Sequence, residues 1–479
     1  MSSAQKARRI ASVCVVGGGI VGLSAAIAFA RSLPQVAVTL VATAPNPVAL
    51  ADRLPGTLPA IRSFHALLGL DERDLVAQGI ATHRIGTRFD NWPGTGGSWI
   101  HATGEYGLDG DGTPFHQLWA LARKSEQAQS FDCYSMAARL ADAGKFIHPE
   151  PDAALPLGSF EYALRLDPVR YRELLAGMLG PLRIERRDGQ ICGVERATNG
   201  GVAAVMLGDY DRITADLFLD CAGPGSPLAM ALPTDFEEWS AWLPAMHLQF
   251  GSAPLQTPSS CDAFAASPDG WRLTAPLADR ALTVTAQSPG AGDLGEGATV
   301  RPGRRRKPWV RNVLVIGDGA IAIDPVGQLN LHLAQTAITR ALALLPGRDC
   351  HPLELAEYNR RTEQQALRVR DFVALHYLPW HPDKPIPVEP PDSLALTLDQ
   401  FRSRGRLPYF EGETFDRHGW LATLFGLGII PQHLNPAALA VDQSAAQAGM
   451  ARLAETLSLL ARAAPSYAEY LERMKHASA

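Results

Sequence analysis

The chain has 479 residues, of which 46% are hydrophobic, so it can bury a large core made of two or three intertwined subdomains. Its formal net charge of −5 shows no basic excess and argues against a nucleic-acid partner. No run reaches the roughly 18 apolar residues that span a bilayer, and the six cysteines include no Cys-x-x-Cys pair. We therefore expect a cytoplasmic protein with reduced thiols, no membrane segment and no metal site.

The chain opens with an apolar strand, a glycine turn, an alanine-rich helix and a second apolar strand, all within residues 13–41. In such a βαβ unit Gly17 makes the tight turn, Gly19 lets the backbone approach a pyrophosphate, and Gly22 packs the helix close to the strand. The pattern predicts a dinucleotide-binding domain. The acidic residue that usually binds the ribose about twenty positions later is absent, because Ala42 stands there.

The middle of the chain combines a predicted helix with a run of predicted strands. Apolar residues spaced three and four apart within Tyr162–Leu179 predict an amphipathic helix, which Asp167-Pro168 either precedes or opens in its first turn. From 182 to 221 the residues alternate as in strands, and the last strand ends in Asp220-Cys221-Ala222-Gly223. Gly223 therefore marks a second loop in which the backbone could approach a nucleotide.

A third informative segment is a buried strand that ends at Gly317 and Asp318. An aspartate at such a strand end is typical of large flavoproteins, where it binds the ribityl hydroxyls; the alternative is an aspartate that caps a helix. Its occurrence together with the glycine turn at Gly17 favours the flavin interpretation. Residues 351–377 and 441–475 are predicted to be helical.

With these segments in order, the whole chain resembles the flavin-dependent tryptophan halogenases. The similarity runs from about residue 10 to residue 475, and the segments that carry it include Thr57-Leu58-Pro59, Arg88-Phe89-Asp90-Asn91-Trp92, Asp220-Cys221-Ala222-Gly223, Gly270-Trp271, Glu357-Tyr358-Asn359 and Gly426-Leu427-Gly428-Ile429-Ile430-Pro431. The resemblance implies an α/β fold: an FAD-binding, Rossmann-like domain at 10–235 and 300–350, an inserted substrate-binding sheet at 236–299, and a helical C-terminal region at 351–479.

The resemblance also implies a cofactor and partners. In this family reduced FAD, supplied by a separate flavin reductase, reacts with oxygen and halide to give hypohalous acid, which a lysine activates near a small aromatic substrate with help from a glutamate. The residues expected to bind the cofactor are Gly17, Gly19, Gly22, Gly223, Gly317 and Asp318.

The two catalytic positions of the family carry different residues here. The family segment Lys-hydrophobic-Gly-x-Arg-Phe begins with Arg84, and none of the six lysines lies in a matching segment. A guanidinium stays protonated and does not form a haloamine readily. The assisting glutamate is replaced by Gly327, which has no side chain for acid–base chemistry. No residue of this chain can thus be assigned as acid, base or nucleophile.

The segments around the flavin and the substrate have changed as well. The flavin-covering Gly-Val-Gly-Glu segment reads Asp52-Arg53-Leu54-Pro55, in which Pro55 lacks an N–H and Leu54 is too large for a glycine position. This change predicts weak FAD binding. We expect Arg84, Trp271 and Gln328 to line the former substrate pocket, where the arginine could bind an acidic group.

Three functions remain open at this point. The favoured one is an FAD-binding oxidoreductase that no longer halogenates, acting as a monooxygenase on an aromatic or indole-like substrate with reduced FAD and O2. The second is a non-catalytic relative that binds a protein partner or a ligand. The third is a halogenase with relocated catalytic residues, for which His83 and His332 are the candidates. The sequence is also compatible with a homodimer.

Overall fold

The computed structural model describes residues 9–477 apart from 94–96, 111, 126, 151–156, 209–210, 233–234, 289–294 and 380–388. The strands are β1 Ser12–Val16, β2 Ala37–Ala42, β3 Ala81–Arg84, β4 Gly86–Asp90, β5 Trp99–Ala102, β6 Ala163–Leu166, β7 Glu185–Asp188, β8 Ile191–Arg196, β9 Val202–Leu207, β10 Asp211–Ile213, β11 Leu217–Asp220, β12 Phe236–Glu238, β13 His247–Pro254, β14 Cys261–Ser267, β15 Gly270–Pro276, β16 Arg280–Gln287, β17 Ala298–Thr299, β18 Gly303–Arg305, β19 Trp309–Val310, β20 Val313–Val315 and β21 Ile321–Ala322.

The helices are α1 Ile20–Ser32, α2 Ile61–Leu68, α3 Glu72–Ala77, α4 Phe115–Lys124, α5 Met136–Asp142, α6 Pro168–Gly177, α7 Pro227–Met230, α8 Asn330–Ala343, α9 Pro352–Tyr377, α10 Asp392–Arg404, α11 Arg417–Gly426, α12 Pro436–Ala440, α13 Gln443–Ala463 and α14 Tyr467–Ala477. Short 3-10 turns lie at Leu50–Asp52, Phe131–Tyr134 and Gly317–Gly319. Among the described residues, no helix has both the length and the apolar character needed to cross a membrane.

The first sheet carries the predicted βαβ unit. Its strands follow the order β19-β20-β11-β1-β2-β7, and β1 pairs in parallel with both β2 and β11, as β11 does with β20. The carboxyl ends of parallel strands meet at one edge of a sheet, which is where ligands bind in folds of this kind. The glycine turn after β1, Gly223 after β11 and Asp318 after β20 therefore all lie at the same edge.

The second sheet follows the order β17-β13-β16-β15-β14-β4-β5 and is mostly antiparallel, with β14 and β4 paired in parallel. It combines strands of the 236–299 range with β4 and β5 from the N-terminal part, so the domain limits proposed above stay a prediction. A separate pair, β3 with β6, brings Arg84 opposite Ala163. The C-terminal part of the described chain is helical, from α9 to α14.

The alternative in which the helix predicted within Tyr162–Leu179 contains Asp167-Pro168 at its first turn is confirmed, and the residues before it form strand β6. The helix itself begins at Pro168, and the Asp167 side chain accepts hydrogen bonds from the backbone N–H groups of Val169 (3.1 Å) and Arg170 (3.3 Å). Proline fits the first turn of a helix but disfavours helical backbone in the residue before it. Asp167 and Pro168 thus start the helix.

Candidate functional site

Two glycines of the N-terminal turn are required by the packing of the backbone itself. Gly17 has φ +131°, and a Cβ there would lie 2.6 Å from the carbonyl oxygen of Cys221 on the neighbouring strand connection. A Cβ at Gly22 would collide with the carbonyl oxygen of Gly17. Both glycines thus keep helix α1 tight against the sheet, whichever group the turn binds.

The space beside the third glycine, Gly19, is filled by a side chain of the protein. A Cβ at Gly19 would collide with the carboxylate of Asp52, and the Oδ1 atom of Asp52 accepts a hydrogen bond from the backbone N–H of Val21 (3.0 Å). Free N–H groups at a helix N-terminus attract anions. Asp52 therefore places the chain's own anion where a nucleotide phosphate would bind, and burial raises the pKa of its carboxyl to about 6.

Both carboxylate oxygens of Asp318 likewise accept hydrogen bonds from other residues of the chain. Its Oδ2 accepts a hydrogen bond from the backbone N–H of Ala51 (2.9 Å), and its Oδ1 accepts one from the side chain of Asn330 (2.9 Å). Ala51 belongs to the Leu50–Asp52 turn, so one short turn contacts both the helix N-terminus and Asp318. Burial raises the pKa of Asp318 to about 7, and the nearby Asp52 carboxylate acts in the same direction.

The remaining predicted cofactor residues lie at the same edge. Gly223 has φ +85°, and a Cβ there would lie 3.1 Å from the Cβ atoms of Asn46 and Ala49, which precede the Leu50–Asp52 turn. Gly317 has φ +73° at the end of β20. Next to this edge a cleft of about 350 Å³ stays open, with Val48, Pro224, Met230, Arg301, Arg305 and Asp318 in its wall.

The second candidate region surrounds Arg84, whose guanidinium is buried and hydrogen-bonded through each of its three nitrogens. Its Nε donates to the Oδ2 of Asp262 (2.6 Å), one Nη donates to the carbonyl oxygen of Thr57 (2.7 Å), and the other donates to the hydroxyl of Thr87 (2.7 Å). Asp262 is fully buried, and Arg84 is 7% exposed. Each of the three guanidinium nitrogens of Arg84 thus has at least one partner among the described residues.

Asp262 is the centre of this network. Besides Arg84 it lies 3.3 Å from the Nη1 of Arg165, and it accepts a hydrogen bond from the amide of Gln328 (2.7 Å). The carbonyl of the Gln328 amide accepts in turn from the backbone N–H of Gly56 (2.8 Å). Sequence reasoning missed Asp262, although a lone aspartate among small and apolar residues in Ser260-Cys261-Asp262-Ala263-Phe264 is a usable signal.

The network leaves little free space around Arg84. The cavity that Arg84 and Gly327 share has a volume of about 20 Å³, with Phe89, His101 and His376 also in its wall. Such a volume holds about one water molecule. Gly327 itself has φ +83°, a backbone conformation that favours glycine.

Of the three residues predicted to line the substrate pocket, Arg84 and Gln328 share a hydrogen-bond partner, whereas Trp271 has a different one. Arg84 and Gln328 meet at Asp262, whereas the indole N–H of Trp271 donates to the hydroxyl of Tyr377 (2.9 Å). That hydroxyl donates to Asp324 (2.9 Å), which gives Trp271 a separate hydrogen-bonded chain. Trp271 is fully buried and packs edge-on against Phe264.

The two candidate histidines also lie apart from Arg84. His83 precedes Arg84 in β3, so their side chains point to opposite faces of the strand. The Nε2 of His83 lies 3.4 Å from Glu72. His332 lies in α8, where burial lowers the pKa of its imidazole to about 4 and Thr336 is its neighbour one turn later.

The model of the tryptophan halogenase family matches residues 12–443. The chain belongs to this family. Among solved structures it is similar to BrvH, a flavin-dependent halogenase from Brevundimonas sp. BAL3, with 30% identity, a TM-score of 0.90 and coverage of 97% of this chain and 99% of that one. It is also similar to Xcc4156, a flavin-dependent halogenase from Xanthomonas campestris, with 28% identity, a TM-score of 0.87 and coverage of 98% of this chain and 99% of that one. The tryptophan 6-halogenase SttH of Streptomyces toxytricini is 26% identical, with coverage of 96% and 98%.

These similarities confirm the predicted family and the α/β fold of a flavin-dependent halogenase. FAD is the cofactor that membership in the family implies. The described residues fit FAD in part. The glycine turn and Asp318 lie at the same edge of the sheet, as a flavin site requires, but the Leu50–Asp52 turn contacts both of them. The Asp52 carboxylate thus lies beside Gly19, at the N-terminus of α1.

Proposed function

We propose that this protein is a non-halogenating member of the tryptophan halogenase family that binds FAD weakly. The observation that carries the proposal is the burial of Arg84, at the family's lysine position, in a network centred on Asp262. A paired guanidinium cannot lose a proton near neutral pH and so cannot take the role of a reactive amine.

The absence of a carboxylate at Gly327 supports the same proposal. Glycine has no acid–base group, and its φ of +83° means that a glutamate at this position would strain the backbone. Asp324 is the nearest acidic residue along the chain, and Tyr377 together with the backbone N–H of Val326 already hydrogen-bonds to it. The site thus lacks both of the side chains that the family reaction uses.

Weak FAD binding is proposed because Asp52 competes for the glycine turn. Binding of a diphosphate there requires the loss of the hydrogen bond from Val21 and of the contact between Ala51 and Asp318. The free energy of this displacement is subtracted from the affinity for FAD. As in the catalytic relatives, we propose that the cofactor arrives as reduced FAD from a separate flavin reductase in the cytoplasm.

The proposed substrate, if turnover occurs, is a small aromatic or indole-like molecule, and the reaction class is that of a flavin-dependent oxidoreductase or monooxygenase. A cavity of about 20 Å³ does not admit an aromatic ring, so the Arg84 network must open first. This observation favours a second candidate function: a non-catalytic relative that binds a protein partner or a ligand, as a monomer or a homodimer.

The test is a flavin titration combined with a halogenation assay. Purified protein is titrated with oxidised and reduced FAD under anaerobic conditions, and is then incubated with a reductase, NADH, oxygen, bromide or chloride, and tryptophan or indole. We expect dissociation constants well above micromolar and no halogenated product by mass spectrometry, while a catalytic relative assayed in parallel gives product. A halogenated product would overturn the proposal. Failure to bind either redox form at millimolar FAD would select the non-catalytic candidate.

A further inference from the structure

A cluster of metal-ligating side chains lies outside both regions described so far. Glu72 opens helix α3, His83 lies in β3, and His148 lies on the connection between α5 and β6. One ligand atom from each of the three lies within 4.8 Å of the other two. A helix, the strand that follows it and a later connection thus bring one side chain each to the same point.

The buried member of the cluster has an unused nitrogen. His83 is fully buried, and its Nε2 has no hydrogen-bond partner, although the Oε1 of Glu72 lies only 3.4 Å away. Leaving a buried polar atom without a partner costs free energy. A cation placed between this nitrogen and the carboxylate would give the nitrogen a partner.

The other nitrogen of His83 has the kind of partner that metal-binding histidines have. Its Nδ1 lies 3.2 Å from the hydroxyl of Tyr467, which also accepts a hydrogen bond from the backbone N–H of His83 (2.7 Å). A partner at one ring nitrogen orients the imidazole and leaves the opposite nitrogen for the ion. The His83 ring is therefore held with Nε2 facing Glu72.

The remaining side of the cluster is open to solvent. His148 is exposed, and its Nε2 lies 2.5 Å from the hydroxyl of Tyr470. The hydroxyl of Tyr162 donates to Glu72 (2.9 Å). The cluster thus has a buried wall with oriented ligands and an exposed wall through which an ion can enter.

We propose that Glu72, His83 and His148 bind one divalent transition-metal ion, with Zn²⁺ as the favoured species. Two imidazoles and one carboxylate form a set of nitrogen and oxygen ligands that suits Zn²⁺, whereas Mg²⁺ prefers oxygen alone. In a tetrahedral zinc site with bonds of about 2.1 Å, the ligand atoms lie about 3.4 Å apart. Glu72 and His83 already have this spacing, and the ligand atom of the exposed His148 lies within 4.8 Å of both.

The position of the site gives the ion a structural role. Tyr467 and Tyr470, which contact the two histidines, belong to the last helix, α14. A bound ion would join α3, β3 and the connection that carries His148, and α14 would contact this unit through the two tyrosines. Because β3 also carries Arg84 on its opposite face, the ion would stiffen one wall of the Arg84 pocket.

The first experiment measures metal binding to the tag-free, chelator-treated full-length protein. Zn²⁺ is titrated calorimetrically, and Co²⁺ is added as a spectroscopic substitute. We expect one ion per chain with a dissociation constant at micromolar or below, visible Co²⁺ absorption bands of a four-coordinate site, and a melting temperature raised by about 3 °C at a hundredfold excess of Zn²⁺ over the dissociation constant. No binding, or binding of Mg²⁺ with the same strength, would overturn the proposal.

The second experiment assigns the ligands. His148→Ala and Glu72→Gln are each expected to weaken Zn²⁺ binding at least about tenfold and to abolish the Co²⁺ bands, with the far-ultraviolet spectrum unchanged. His433→Ala, which removes an exposed histidine from another surface, serves as the matched control and should bind like the parent. Equal binding by the parent and His148→Ala, or loss of binding in a Cys192→Ser variant, would place the ion elsewhere and refute the site.

Discussion

The chain's own side chains fill two regions of the molecule in different ways. One is the edge of the first sheet at Gly19 and Asp318, here called the cofactor edge, and the other is the pocket around Arg84. At the cofactor edge one carboxylate, Asp52, sits on a three-residue turn beside an open cleft of about 350 Å³. In the pocket the buried side chains of Arg84, Arg165 and Gln328 all meet at Asp262, and Arg84 also lines a cavity of about 20 Å³.

This difference means that a ligand can displace the side chain at the cofactor edge more readily than the side chains of the Arg84 pocket. Moving the Leu50–Asp52 turn breaks a small number of hydrogen bonds and brings a carboxylate back to water. Opening the Asp262 network leaves buried guanidinium groups unpaired, which is far more costly. The closure of the cofactor edge is thus adjustable, whereas the closure of the Arg84 pocket is part of the stability of the fold.

The largest effect is expected where the Asp262 network is broken. Asp262→Ala removes the partner of two buried guanidinium groups and should lower the free energy of unfolding by about 3–5 kcal/mol in urea denaturation. Asp279→Ala is the control: it removes an aspartate that is half exposed and paired with Arg170, and should cost at most about 1 kcal/mol. Similar small losses in both variants would contradict the central role of Asp262.

A smaller difference is expected between two glycines of the same turn. An alanine at Gly22 collides with the backbone of Gly17, which cannot move away, and should destabilise the protein by about 2–3 kcal/mol. The three atoms nearest to an alanine Cβ at Gly19 all belong to the Asp52 side chain, so this variant should cost about 1 kcal/mol because that side chain can turn away. Thermal unfolding of both variants measures the difference. Equal losses of stability would show that the Asp52 side chain cannot move away from Gly19.

The Asp52 closure can also be removed directly. Asp52→Ala eliminates the competing carboxylate and should tighten FAD binding about tenfold, a change of about 1.4 kcal/mol, while destabilising the protein by about 1 kcal/mol through loss of the cap on α1. Fluorescence titration measures the affinity. Asp188→Ala, at an exposed aspartate of the same sheet, is the control. An affinity equal to that of the parent protein would exclude competition by Asp52.

The smallest effect concerns pH. Burial raises the pKa of Asp318 to about 7, so the folded protein binds a proton here that the unfolded chain has already released. The stabilising contribution is complete below about pH 4 and is lost as the pH rises through 7. Between pH 6 and pH 7 the parent should lose about 1 kcal/mol more stability than Asp318→Asn, measured by denaturation without FAD. Parallel pH profiles would contradict this assignment.

Local patterns of the sequence were sufficient for the fold. The glycine spacing between strand and helix predicts the βαβ unit because turn geometry depends on adjacent residues, and this unit lies where it was predicted. Family membership followed from segments spread over the whole chain and is confirmed. The helix predicted within Tyr162–Leu179 begins at Pro168, because a proline fits the first turn and its preceding aspartate caps the helix.

The state of the candidate site was decided by tertiary structure. Asp52 reaches the N-terminus of α1 from 31 residues away, and Asp262 reaches Arg84 across 178 residues. The cluster of Glu72, His83 and His148 likewise exists only after three segments have packed together. A sequence shows which residues were replaced. Which side chain then fills the vacated space depends on long-range packing, where burial and the pairing of charges select the partner.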